Sequence, residues 1–150
     1  MDRREMLSLF SAGTVGLVTL AGREASAEPS SSEHNHMDKT HADCLKACVD
    51  CAKSCEMMFH HCLKLTAQGQ KDHAKSAQIA LDCAEFCGLS AKLIARMSPL
   101  MGISCTACAE ACKKCGDECG KSDMAEMKQC AEVCRKCEQT CREMAKGMQA

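Results

Sequence analysis

Sulfur dominates the chemistry open to this chain, which has 16 Cys and 11 Met among its 150 residues. Their spacing is ordered. Cys44, Cys48, Cys51, Cys55, Met58, Cys62 and Leu65 follow one another at steps of 4, 3, 4, 3, 4 and 3. Met101, Cys105, Cys108, Cys112, Cys115 and Cys119 step by 4, 3, 4, 3 and 4, and Met127, Cys130, Cys134, Cys137, Cys141, Met144 and Met148 by 3, 4, 3, 4, 3 and 4. A stretch poorer in Cys keeps the same phase through His73, Ser76, Ala80, Cys83, Cys87, Ser90, Ile94 and Met97. Alternating steps of three and four residues mark one face of a helix. A strand would show period two instead.

Four uses of such thiols compete. Disulfides within one helix are strained, because Cβ atoms at i, i+3 or i+4 lie about 5–6 Å apart where a disulfide wants about 3.5–4.5 Å. Bonds between helices are open, so a disulfide-stapled structural or thiol-redox module without metal is the alternative reading. Iron–sulfur clusters favour Cys-x-x-Cys runs in loops that end in Cys-Pro, and no Pro follows a Cys here. Zinc takes four thiolates per ion. Filling 16 Cys that way leaves a core charge of about −8, which is costly to bury. Cu(I) is soft, prefers thiolate and thioether, and accepts two or three sulfurs. At about one ion per Cys its charge cancels that of the thiolates, so the loaded core is cheap to bury. His60 and His61 stand close to Cys62, but every Cys falls in the same seam and none is singled out as a nucleophile. No catalytic constellation emerges, and the chain is not expected to be an enzyme.

The elements that must position these sulfurs are four helices, expected over residues 41–66, 71–97, 100–119 and 123–147. Lys, Glu, Ala, Gln and Asp fill the intervening positions and suit helix exteriors. Gln68-Gly69-Gln70 separates the first two helices. Ser98-Pro99 supplies an expected N-cap and first-turn Pro for the third, and Asp123 with Glu126 an expected capping box for the fourth. Short connections between long helices predict antiparallel neighbours. The fold class is therefore all-α, an up-down antiparallel four-helix bundle with a Cys-lined core.

Composition removes other classes. A formal net charge of −1 gives no basic field for nucleic acid or an anionic membrane surface. Three Phe, no Trp and no Tyr leave no stacking platform for bases. Residues 1–27 read as a cleavable export signal. Arg3-Arg4 precede the apolar run Leu7–Ala21, and Ala25-Ser26-Ala27 offers a small-x-small cleavage site. The run is shorter than the about 20 residues a membrane span needs, so no membrane insertion of the mature chain is expected. The start Asp2-Arg3-Arg4-Glu5-Met6-Leu7 resembles a twin-arginine signal, a route that carries folded proteins. A periplasmic or otherwise exported location follows. Residues 28–40, with His34 and His36, form a polar leader expected to be mobile, and residues 41–148 the bundle.

An up-down bundle gathers Met58, His61, Cys62, His73, Cys119, Met127 and Cys130 at one end, and His41, Cys44, Met97, Met101, Met144 and Met148 at the other. Met serves there as flexible apolar filler, or as thioether that hands Cu(I) inward to thiolate.

The signal, the Met and His at the bundle ends, and three motifs together resemble the bacterial copper storage proteins. The motifs are Cys44-x3-Cys48-x2-Cys51-x3-Cys55, Cys105-x2-Cys108-x3-Cys112-x2-Cys115-x3-Cys119 and Cys130-x3-Cys134-x2-Cys137-x3-Cys141. The resemblance implies a four-helix bundle that holds many Cu(I) ions on its 16 Cys, including Cys62, Cys83 and Cys87. It implies storage or detoxification, or supply to copper enzymes, with copper-accepting proteins as partners and tetramers of bundles. It places a loading port at the end with Met58 and His61, near His73 and Met127, and it aligns the chain with the exported branch. With two core Cys, the second helix makes one thin wall.

Overall fold

The structure, a computed structural model, describes residues 38–148. The export segment and the leader through Met37 lie outside the described residues. Four helices follow in order: α1 Lys39–Ala67, α2 His73–Ala95, α3 Met101–Cys119 and α4 Ala125–Gly147. Each packs beside the next, and α4 closes the ring against α1. The diagonal pairs are separated by the seam. The bundle is the up-down four-helix architecture that the spacing predicts.

The helices meet around an unusual core. All 16 Cys are buried. The flanks between helices are filled by small residues, among them Ala47, Ala84, Ala109 and Ala131. Among the described residues, the buried aliphatic side chains larger than Ala are Leu93 and Ile94. A Cys thiol packs as a small hydrophobe, so the ring closes without the Leu and Val of an ordinary bundle. Gly116 on α3 faces α4, where a Cβ would meet the Cys134 Cβ at 3.4 Å, an ordinary van der Waals contact.

The helix ends depart from expectation in informative ways. The first helix begins at Lys39 rather than residue 41, because Asp38 caps it. The Asp38 carboxylate accepts from the His41 backbone N–H at 2.9 Å and lies 2.8 Å from its ring Nδ1. These two bonds, the backbone one first, hold the Asp38 carboxyl below its ordinary range. Ser98 is not the N-cap of α3. The helix starts at Met101 with Leu100 in the cap position and no side-chain cap bond, and the Ser98 hydroxyl accepts instead from Leu100 N–H at 3.3 Å within the preceding turn. The expected capping box of α4 does not form either. Met124 holds the cap position, Ser122 Oγ accepts from Met124 N–H at 3.2 Å, and Asp123 pairs with Lys128 at 2.9 Å.

Two helices end in the same way with different residues. After α1, Gly69 N–H donates to Thr66 C=O at 3.0 Å and Gln70 N–H to Leu65 C=O at 3.1 Å. After α2, Met97 N–H donates to Ile94 C=O and Ser98 N–H to Leu93 C=O, both at 2.9 Å. Both are Schellman closures, which place one residue in the left-handed region. Gly69 occupies it at φ 94° and Met97 at φ 50°.

Candidate metal centre

Heptad register stacks the inward side chains in layers. From the Lys39 end, the first is His41, Ile94, Met101 and Met144. Next come Cys44, Ser90, Cys105 and Cys141, then Cys48, Cys87, Cys108 and Cys137, then Cys51, Cys83, Cys112 and Cys134. Cys55, Ala80, Cys115 and Cys130 follow, then Met58, Ser76, Cys119 and Met127, and finally Cys62 and His73. The two middle layers draw a thiol from every helix.

Sulfur separations agree with this register. Within the middle layers, Cys87 and Cys108 are 3.5 Å apart and Cys51 is 3.8 Å from both Cys112 and Cys134. Between layers, Cys87 lies 3.5 Å from Cys112, Cys48 3.5 Å from Cys141 and Cys55 3.7 Å from Cys134. The four sulfurs of Cys55, Cys115, Cys130 and Cys134 all lie within 4.8 Å of one another, as do those of Cys48, Cys108, Cys137 and Cys141. No disulfide forms, and all 16 Cys are free thiols. Two metal–sulfur bonds of roughly 2.3 Å, the length of a zinc–thiolate bond, span about 4.0 Å when they meet at 120°. The thiols thus stand at the spacing of sulfurs that share one ion.

The network sets proton positions as well as distances. Cys51 is held down because Cys112, then Cys134 and Cys137, supply hydrogen bonds to its thiolate. Cys112 is pushed up, first by Cys108 and then by Cys137 and Cys51. An ionised sulfur in such an array is stabilised by S–H donors that must themselves stay protonated. At Cys105 the hydrogen bond with Cys141 lowers the thiol, but that with Cys44 and burial outweigh it, leaving it raised to about 12. Cys62 is pushed up by burial, then by the charges of Cys130 and Cys115.

The two ends differ. At the Lys39 end Ile94, Met101 and Met144 are buried, and the His41 ring is already engaged by Asp38. At the other end Cys62 Sγ lies 3.6 Å from Met58 Sδ and 3.8 Å from Met127 Sδ, so one thiol and two thioethers converge. Met58, His61 and Cys130 line a groove of about 830 Å³ between α1 and α4, beside the exposed Met57 and His60. The His61 Nε2 is buried without a hydrogen-bond partner. His73 opens α2 at this end, half-buried. Of the residues assigned to a loading port from sequence, Met58 and Met127 each approach the Cys62 sulfur, His61 lines the groove with Met58, and His73 is half-buried at the start of α2.

Sequence spacing located every thiol of the seam but treated Ser90 as a mere phase-keeper. Its signal was its place in the repeat, and its missing hydrogen-bond partner becomes visible only with the neighbouring walls in position.

Comparison with known proteins gives a consistent picture. A family model described as copper storage protein matches residues 37–146. The uncharacterised cysteine-rich protein YhjQ of Bacillus subtilis is 40% identical over 111 residues, covering 73% of this chain and 99% of that protein. Among solved structures, the Cu(I)-bound copper storage protein BsCsp3 of Bacillus subtilis superposes with a TM-score of 0.66 at 36% identity, over 71% of this chain and 99% of its own. A cytosolic copper storage protein of Streptomyces lividans, with five coppers, superposes with a TM-score of 0.66 at 32% identity, over 72% of this chain and 93% of its own.

Proposed function

The chain belongs to the copper storage protein family, and from that premise we propose that it stores Cu(I) on the thiols inside its bundle at about one ion per Cys. The observation that carries this reading is the run of free sulfurs 3.5–4.0 Å apart that links Cys44 at one end of the core to Cys115 toward the other. All 16 Cys serve as ligands. Monovalent ions neutralise the thiolates one for one, so the filled core needs no other counter-charge. The bundle is a store and no step of chemical conversion is assigned to it. An anaerobic titration of the reduced protein with Cu(I), against a chromogenic Cu(I) chelator, tests the reading. Tight uptake of about 12–20 ions per chain is expected, and saturation at about four or fewer would overturn it.

The loading port lies at the Met58 end. Its support is the Met58, Cys62 and Met127 triad, which offers Cu(I) three sulfurs with one negative charge, and the unpartnered His61 Nε2 on the adjoining groove. Copper-accepting proteins would meet the bundle at this end.

The division of the chain follows the same reading: residues 1–27 an export signal of the twin-arginine type, 28–40 a leader, 41–148 the bundle with its first turn extended back to Lys39. Arg3-Arg4, the apolar run and Ala25-Ser26-Ala27 support export, although the Streptomyces lividans relative is described as cytosolic. No helix among the described residues is long and apolar enough to cross a membrane. Sequencing the N-terminus of protein recovered from the periplasmic fraction tests the assignment. A mature chain beginning at Glu28 is expected, and an intact signal in the cytosol would overturn it. Exposed Phe86, Leu89, Leu100 and Ile103 are available to an interface between bundles, and the family resemblance sets the expected assembly as a tetramer. Light scattering on the purified protein checks the mass.

A further inference from the structure

Ser90 stands where the heptad repeat would place a thiol. In the layer of Cys51, Cys83, Cys112 and Cys134, the Cys83 sulfur lies 3.8 Å from that of Cys112. One heptad along each helix toward the Lys39 end, the corresponding residues are Cys44, Ser90, Cys105 and Cys141. Here Cys44 and Cys141 are 3.8 Å apart. Ser90 is fully buried, and its hydroxyl has no hydrogen-bond partner.

The usual escape for a helical hydroxyl is a carbonyl one turn back. Thr66 takes it with Cys62 C=O at 2.9 Å, Ser104 with Met101 and Thr106 with Gly102 at 3.0 Å, and Thr140 with Cys137 at 3.1 Å. Ser90 does not. A buried hydroxyl without a partner is destabilising, and Ala, a better helix former, fills the seam at Ala80 on the same helix without that cost.

We propose that Ser90 is a positioning residue for stored copper: its hydroxyl donates to a copper-bound thiolate of the Cys44, Cys105 and Cys141 layer, and so finds its partner only in the loaded protein. The proposal rests on the Cu(I) storage reading. No sulfur of the layer stands in hydrogen-bond position to the Ser90 hydroxyl in this structure, and a protonated thiol is a weak acceptor, so the bond is made when the hydroxyl or a sulfur shifts as the thiol ionises. A thiolate is charged, and hydrogen bonds to charged acceptors are roughly twice as strong as neutral ones. A hydroxyl oxygen is a hard donor that Cu(I) does not favour, so Ser90 orients a sulfur rather than holding an ion. The layer keeps three thiolates for three monovalent ions and stays neutral.

Ser90→Ala, Ser90→Thr and Ser90→Cys in the reduced full chain test this. Melting midpoints are read without copper and fully loaded, and retention is read against a chromogenic Cu(I) chelator. Ser90→Ala is expected to keep or raise the midpoint of the copper-free protein and to lower that of the loaded protein. It should weaken retention of about three ions by about tenfold at unchanged capacity, and Ser90→Thr, which keeps the hydroxyl, should recover part of that loss. Ser90→Cys should add about one ion, because the position faces the layer. A midpoint shift of the same sign in both states, a retention curve for Ser90→Ala that superposes on wild type, or no added ion in Ser90→Cys would overturn the proposal. Wild-type protein that takes up no Cu(I) would instead overturn the storage reading on which it stands.

Discussion

A thiol in this core can serve twice: protonated, it packs as a small hydrophobe, and ionised, it offers a soft-metal ligand. Conversion requires loss of a proton, and the raised Cys62 thiol makes the sign clear. On the storage proposal, Cu(I) bound at Cys62 would displace a proton that burial has tightened, so apparent affinity at this site should rise with pH, about tenfold per unit below the raised pKa. Calorimetric titration in two buffers of different ionisation heat counts the proton, and identical heats would mean an already ionised sulfur. The neighbouring thioethers carry no proton and remain available at low pH. Replacing Met58 and His61 with Ala should therefore slow uptake of Cu(I), followed by stopped-flow, and leave final capacity unchanged. Equal rates would remove them from the loading path. Met58, one turn from Cys62 on the same helix, was legible in the sequence as its neighbour; the 3.8 Å approach of Met127 from α4 needed the opposing wall.

Helix by helix, the repeat specified type and phase, while the ends were decided locally. Seven-residue periodicity needs only the chain itself, which is why four helices and their inner faces could be read off directly. Caps depend on single hydrogen bonds and shifted by one to two residues. Asp38 displaced the expected start of α1, and the Asp123–Lys128 pair took the place of a capping box. The paired Schellman closures give a direct comparison. Gly69→Ala should destabilise the bundle by about 1 kcal/mol, because its φ of 94° disfavours any Cβ even though open space surrounds it. Met97→Gly should be neutral or stabilising by up to about 1 kcal/mol, as relief of the left-handed strain offsets the greater freedom of Gly when unfolded. Thermal melts of the two copper-free variants check both signs.

Over the whole molecule, charge balance selects the cargo. Sixteen thiolates in one buried column can be matched by about as many monovalent ions. Zinc bound as four-thiolate sites reaches only about four per chain, each carrying about −2 into the core. Titration with Zn(II) should thus saturate at about four or fewer, and zinc should be displaced by Cu(I); uptake of zinc near one per Cys would contradict the charge argument. Loading should also raise the melting midpoint, since ions that bind the folded sulfur column better than the unfolded chain stabilise it by mass action. A loaded protein that melts at or below the copper-free one would mean that binding distorts the bundle.

Sequence alone determined what depends on order along one helix: the all-α class, the inward seam, the 16 candidate ligands and the soft-metal chemistry they imply. Those properties are carried by residue type and period, and period survives without knowledge of the neighbours. Tertiary structure decided what depends on opposing walls. It set which sulfurs share a layer and their 3.5–4.0 Å separations. It closed one end with Ile94, Met101 and Met144 and opened a groove beside Met58 and His61 at the other. It also left Ser90 without a partner. These follow from the relative height and rotation of four helices, set by loop closures and small-residue contacts such as Gly116 against Cys134, which no single helix encodes.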